Sequence, residues 1–137
     1  MAKKIVITQN DSEKLRKFIK AARQGASANA AHIQRLVEEI ESAEIVDREQ
    51  IGADVITMNT EAVVKDVKTG ETETYKVVFP EYADIDTGKV SVLSPLGCAL
   101  LGYRINDEIE VDAPGGKRIV RVEKVVYQPE AQGNFEE

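Results

Sequence analysis

The sequence predicts an α+β fold. Three observations carry that expectation. Apolar residues recur at helical spacing as far as Ala43. Beyond Asp54 they fall into strand-like runs, and a single helix opened by Ser94-Pro95 interrupts those runs. With 137 residues and 42% hydrophobic content, the chain can bury the core of one ordinary domain, or of a small domain with an appendage.

Lys4–Ile7 (KIVI) reads as a short strand or an extended lead-in. Thr8 with Asp11 three residues on resembles a capping box, with Asp in place of the usual Glu. Leu15, Phe18, Ile19 and Ala22 then recur at i, i+3, i+4 and i+7, the stripe of an amphipathic helix. Gln24-Gly25 breaks it, and Ser27 can cap a second helix in which Ile33, Leu36, Val37, Ile40 and Ala43 keep the same period. Two such helices joined by a short loop form an antiparallel hairpin that buries its stripes together. Each helix reaches only roughly 20–25 Å. The polar run Asp47–Gln50 is a connector, dividing a helical hairpin at 1–47 from a second unit at 48–137.

In the second unit, Val55–Asn59, Ala62–Val67 and Thr72–Phe79 read as strands, with Lys68–Glu71 as a hairpin turn and Tyr82–Lys89 as a polar loop. Val90–Leu93 is a short strand. Ser94 is a good N-cap, and Pro95 sits at the first helical position, where its missing N–H is of no consequence. Leu96, Leu100 and Leu101 share a helical face, and Gly102 can end the helix in a left-handed conformation. Glu108–Ala113 and Lys117–Tyr127 follow as strands around Pro114-Gly115-Gly116, and Gly133–Glu137 is a frayed tail.

Composition excludes several classes. No apolar run is long enough to span a bilayer, and the apolar run after Lys4 is too short for a signal peptide. Cys98 is the only cysteine, so no internal disulfide can form, and its leucine-rich surroundings make it a buried, inert thiol. These features favour the cytoplasm. The net charge of −6 argues against a general nucleic-acid coat protein. The charge is uneven, however. From Lys14 to Val37 there is no Asp or Glu, while Lys14, Arg16, Lys17, Lys20, Arg23 and Arg35 all fall there. Such asymmetry marks an interaction surface.

Catalytic signatures are missing. There is no phosphate-binding loop and no dinucleotide fingerprint. His32 has no Cys or second His near it, so no zinc site is expected. Asp84 with Asp86, and Asp107 with Glu108, lie beside turn signals, where Asp serves the backbone. No catalytic residue, metal or cofactor is expected.

The run Ser94–Gly116 (SPLGCALLGYRINDEIEVDAPGG) with the closing Glu123–Tyr127 resembles the C-terminal domain of the GreA/GreB transcript-cleavage factors, and residues 51–137 fit that domain. Met1–Leu15, the motif Asp54–Thr60 (DVITMNT) and Tyr127–Ala131 (YQPEA) are more similar still to the Gre-related Rnk family, "regulator of nucleoside diphosphate kinase", which has a shortened hairpin. The resemblance implies an FKBP-like, antiparallel-sheet domain. Prolyl isomerisation does not come with it, because the aromatic residues are scattered and form no evident proline pocket.

The resemblance also implies a partner, RNA polymerase, bound at the rim of its secondary channel. Ser94 and Pro95 match the docking loop, although Leu93 stands where Gre factors carry a polar residue. Nucleic acid is then met only indirectly, within the transcription complex, and no membrane is involved. Gre factors carry acidic residues at the hairpin tip, which help the polymerase hold a second magnesium. The tip here, Ala22–Asn29, has no carboxylate, and magnesium needs hard oxygen ligands. The expectation is a polymerase-binding regulator of elongation that competes with Gre factors without stimulating cleavage. Two alternatives are a true cleavage factor and an adaptor acting on a metabolic partner such as nucleoside diphosphate kinase.

Overall fold

A computed structural model of the chain describes residues 5–23, 31–113 and 116–133. The expected α+β architecture, a helical hairpin followed by a sheet with one short helix, is what the chain forms. In order, the elements are β1 (Val6–Thr8), α1 (Gln9–Arg23), α2 (Ala31–Ser42), β2 (Glu44–Val46), β3 (Glu61–Asp66), β4 (Thr72–Val78), β5 (Lys89–Ser91), α3 (Pro95–Leu100), β6 (Glu108–Ala113) and β7 (Gly116–Tyr127). The expected Ser27 cap, the tip residues 24–29, Pro114-Gly115 and the tail from residue 134 lie outside the described residues, as do the side chains of Ala22, Arg23 and His32.

The sheet order is β5-β4-β3-β7-β6. It is antiparallel except at β4–β5, which runs parallel. Register shifts between β3 and β7 curl the sheet. The β3–β4 turn forms as expected: the Asp66 carboxylate accepts the N–H groups of Lys68 (2.9 Å) and Thr69 (3.1 Å). β1 and β2 form a separate parallel pair that brackets the hairpin, Ile7 opposite Ile45.

Helix starts are legible in atoms. The Asp11 N–H donates to Thr8 Oγ1 at 3.1 Å, the first half of the expected capping box. The second half is absent, because the Asp11 carboxylate turns away and accepts the Met58 N–H at 3.0 Å. In α3, Ser94 Oγ accepts from the Gly97 N–H at 3.1 Å, with Pro95 at the first helical position. Gly102 is left-handed (φ +83°), as expected, and a Cβ there would stand 2.6 Å from the Cβ of Ile5. Burial in α3 is wider than the leucine face: Gly97, Cys98, Ala99 and Leu100 are all buried.

One expected strand does not form. Val55–Asn59 is a buried strap joined to the rest of the fold by an isolated bridge from Val55 to Arg104 and by single backbone bonds such as that from the Asn59 N–H to the Val77 carbonyl. Its residues 55 to 58 are buried in succession, which alternation cannot give. Thr57 and Thr60 close a turn through their hydroxyls (2.8 Å), and Asn59 is left-handed at φ 65°. The strap is held from both ends of the chain. Gln128 Nε2 donates to the carbonyls of Gly52 (2.7 Å) and Val55 (2.8 Å), and Thr57 Oγ1 donates to Glu130 (2.6 Å). The N-terminal segment, the strap and the Tyr127–Ala131 segment thus meet in space.

The core is continuous across the polar connector. Ile7, Leu15, Ile33, Leu36 and Ile40 pack in the same cluster as Ile56, Met58, Leu100, Leu101, Val120 and Val122. Cys98 is buried in that cluster, its Sγ 3.0 Å from the Val92 carbonyl, and burial pushes its thiol up to about 12. Its burial is as expected, and both burial and the raised thiol disfavour the reactive thiolate.

Asp11 gives a pH prediction. Burial, against the hydrogen bond from Met58, raises its carboxyl to about 6, with Glu130 adding to the rise and Lys14 opposing it. The folded state therefore binds this proton more tightly than the unfolded chain, whose Asp titrates near 3.8. Its stabilising effect is complete below the unfolded value and is lost as pH rises toward 6. Relative to Asp11→Asn, whose amide can still accept from Met58, the wild-type protein should lose roughly 1–3 kcal/mol between pH 4 and 7 in urea denaturation. A pH-independent difference between the two would contradict this.

Candidate functional site

Ser94 and Pro95 lie on the wall of a groove of about 430 Å³. Tyr75 of β4, Val90 of β5, Pro95 and Leu96 of α3 and Val111 of β6 make it apolar, and Ile85 overhangs it. Ile85 is 87% exposed, on a 3₁₀ turn (Ile85–Thr87) held by the Asp84 carboxylate, which accepts the Asp86 N–H at 3.1 Å. Glu73 and Arg118 supply the charges at the rim. Both have local partners: Tyr75 donates its hydroxyl to Glu73, and Arg118 pairs with Asp66 at 3.1 Å. The backbone N–H of Thr69, with Arg118, holds the Asp66 carboxyl below its usual range.

The backbone around Ser94 is tightly built. Its hydroxyl donates to the Ser91 carbonyl at 2.7 Å while it caps the helix, and Ser91 Oγ accepts the Leu93 N–H at 3.0 Å. The Ser94 hydroxyl is therefore engaged within the chain, whereas the half-buried ring of Pro95 faces the groove. Gly97 lets α3 sit directly on the end of β5, since a Cβ there would stand 2.0 Å from the Ser91 carbonyl oxygen.

The basic helix face is partly as expected. Arg16, Lys17 and Lys20 are exposed along α1. Lys14 is exposed too, but lies on the flank of α1 beside Phe18, where it lines a second cavity. Arg35 does not join them. Its Nε pairs with Glu39 at 2.8 Å and its Nη1 donates to the Glu110 carbonyl at 2.9 Å, pinning α2 to β6. Burial raises the Glu39 carboxyl, which also accepts from the Tyr103 hydroxyl at 3.4 Å. The side chain of Arg23 lies outside the described residues.

One member of each acidic pair serves a turn, and Glu108 lies in β6 with its carboxylate 3.7 Å from Arg121. Besides Asp84, the Asp107 carboxylate accepts the Arg104 N–H at 2.8 Å. Among the described residues no cluster of His, Cys, Asp or Glu has a metal-binding arrangement, and no helix is long and apolar enough to cross a membrane. Sequence reasoning missed Tyr75, Ile85 and Val111 as groove residues. An isoleucine alone in the polar run Tyr82–Lys89 was the one available signal.

A short helical hairpin on a curled sheet is an architecture this chain shares with a solved transcription elongation factor. A solved GreA/GreB elongation factor from Nitrosomonas europaea superposes with a TM-score of 0.74 at 33% identity, over 92% of this chain and 100% of that one. The GreA factor homolog 1 protein of Thermus thermophilus, 24% identical with a TM-score of 0.51 over 91% of this chain and 100% of that one, shares the fold. The transcription elongation factor GreA of Chelativorans sp. is 36% identical over 107 residues, 78% of this chain and 68% of that protein. Residues 51–127 match the model of the GreA/GreB transcription elongation factor C-terminus, and residues 3–46 match that of the Rnk N-terminus. The chain belongs to the GreA/GreB transcription elongation factor family, with an N-terminus of the Rnk type.

Proposed function

We propose that this chain binds RNA polymerase at the rim of the secondary channel, in the cytoplasm, and modulates elongation without stimulating transcript cleavage. The observation that carries the reading is the combination, on one chain, of a GreA/GreB-type C-terminal segment with a hairpin free of acid from Lys14 to Val37. The groove beside Pro95 is the docking surface. Its apolar floor and internally paired rim charges suit a partner that buries one hydrophobic anchor. The hairpin enters the channel but carries no carboxylate to hold a magnesium there. Its acids, Asp11 and Glu13 in α1 and Glu38, Glu39 and Glu41 in α2, lie at the hairpin's base. Helices of 15 and 12 residues reach only about 22 and 18 Å. In this reading the chain is not itself an enzyme.

A second reading, a true cleavage factor, is favoured by relatives that are named GreA. Transcript cleavage in backtracked complexes separates the two.

Docking itself is tested by capture of core RNA polymerase across a salt series. Exposed Arg16, Lys17 and Lys20 face an acidic or phosphate-bearing channel, so binding should weaken as salt rises. Replacing all three with Gln should weaken binding roughly 3–10-fold at low salt and flatten the salt dependence. An unchanged slope would make this face a solvated surface only.

A further inference from the structure

A second cavity, of about 480 Å³, opens on the side of the molecule where α1 meets β4 and β5. Its walls come from separate elements: Lys14 and Phe18 of α1, Lys76 of β4, Phe79, Tyr82 on a 3₁₀ turn, and Lys89 of β5. Phe18 and Phe79 stack with ring centroids 5.0 Å apart and make an apolar wall. Tyr82 stands at the edge, 62% exposed.

The placement of the lysines is unusual. Lys76 and Lys89 are register partners on adjacent parallel strands, an arrangement of like charges that is unfavourable by itself. Lys14 of α1 is a third lysine in the lining of the same cavity. None of the three forms an ion pair within 4 Å among the described residues, and Glu81 is the one carboxylate in the lining. Lys76 is steadied by the Tyr127 ring, 5.5 Å from its Nζ. The groove at Pro95, by contrast, has a single cation, already paired with Asp66.

Three lysines lining one cavity beside exposed and stacked aromatic rings match two chemical features of one ligand class. Lysines recognise phosphate as point charges. An aromatic ring offers a flat base a stacking surface. The volume lies within the usual range for small-molecule sites. We propose that this cavity is a nucleotide-binding site, with the phosphates of a nucleoside di- or triphosphate held by Lys14, Lys76 and Lys89 and the base resting on Tyr82 and Phe18. The site is separate from the docking groove, and the proposal does not depend on polymerase binding.

Isothermal titration of the full chain with ATP and with GTP tests it, with adenosine and pyrophosphate as partial probes. The triphosphates should bind, pyrophosphate should bind at least several-fold more weakly, and adenosine should be weaker still. Lys76→Gln with Lys89→Gln should lower triphosphate affinity tenfold or more. Lys89→Gln alone, at an exposed position, gives the same direction of change without risk to the fold. Tyr82→Ala should weaken the triphosphates and leave pyrophosphate unchanged. No binding of either triphosphate at millimolar concentration would overturn the proposal. So would undiminished binding by the lysine variants, or equal affinity for pyrophosphate and triphosphate.

Discussion

Gly97→Ala should destabilise the protein by about 3 kcal/mol or more, at the upper end of the range for overpacked cores. The added Cβ would stand 2.0 Å from the Ser91 carbonyl oxygen, 2.8 Å from its carbon and 2.9 Å from Val92 Cα. All three are backbone atoms, so no rotamer change relieves the clash. Either α3 lifts from β5, breaking the contact of Cys98 Sγ with the Val92 carbonyl, or the β5 end moves and disturbs its pairing with β4. Both displace Pro95 and Leu96 in the groove wall. Ser94→Ala, which removes the cap and the hydroxyl's bond to the Ser91 carbonyl but adds no clash, should cost about 1–2 kcal/mol. Urea denaturation compares the two, and a Gly97→Ala protein within 0.5 kcal/mol of wild type would mean that α3 is free to shift, contrary to this packing.

The second large effect is expected at Pro95. Under the proposed docking, Pro95→Asp places a carboxylate in the apolar groove beside Tyr75 and Leu96. Burying it against a partner leaves an unpaired charge, which typically costs 2 kcal/mol or more, a loss of roughly 30-fold in affinity. The fold should tolerate the change. An acid in the first turn of a helix is favourable to the helix dipole, and Ser94 still caps α3. Loss of binding in Pro95→Asp is therefore not a loss of structure, which a thermal melt verifies.

What was legible in the sequence was what local chemistry decides. Ser94-Pro95 fixed the start of α3 through contacts three residues apart, and Asp66 fixed the β3–β4 turn through its own neighbours. The Val55–Asn59 strap was misread because its bonding partners are remote. Met58 is held by Asp11, 47 residues earlier, and Val55 by Gln128, 73 residues later. β2 went unread for the same reason, since its three residues become a strand only by pairing with β1 across the whole hairpin. The candidate site divided along the same line. Pro95 was found through its motif. Tyr75 of β4, Ile85 on its 3₁₀ turn and Val111 of β6 are far apart in the chain and line the same groove only once it has folded. Arg35 looked like its neighbours in the acid-free run, yet Glu39 one turn on and the Glu110 carbonyl across the fold remove it from the basic face.

The central claim is occupancy of the polymerase channel without chemistry. It is tested most directly by the rate of RNA cleavage in backtracked complexes, with this protein alone and in competition with an added Gre factor. The account predicts no stimulation by the protein alone. It also predicts inhibition of the Gre-dependent rate that more Gre factor overcomes and that Pro95→Asp relieves. Robust magnesium-dependent cleavage with this protein alone would contradict the account, and would mean that carboxylates outside the acid-free stretch reach the polymerase's active centre.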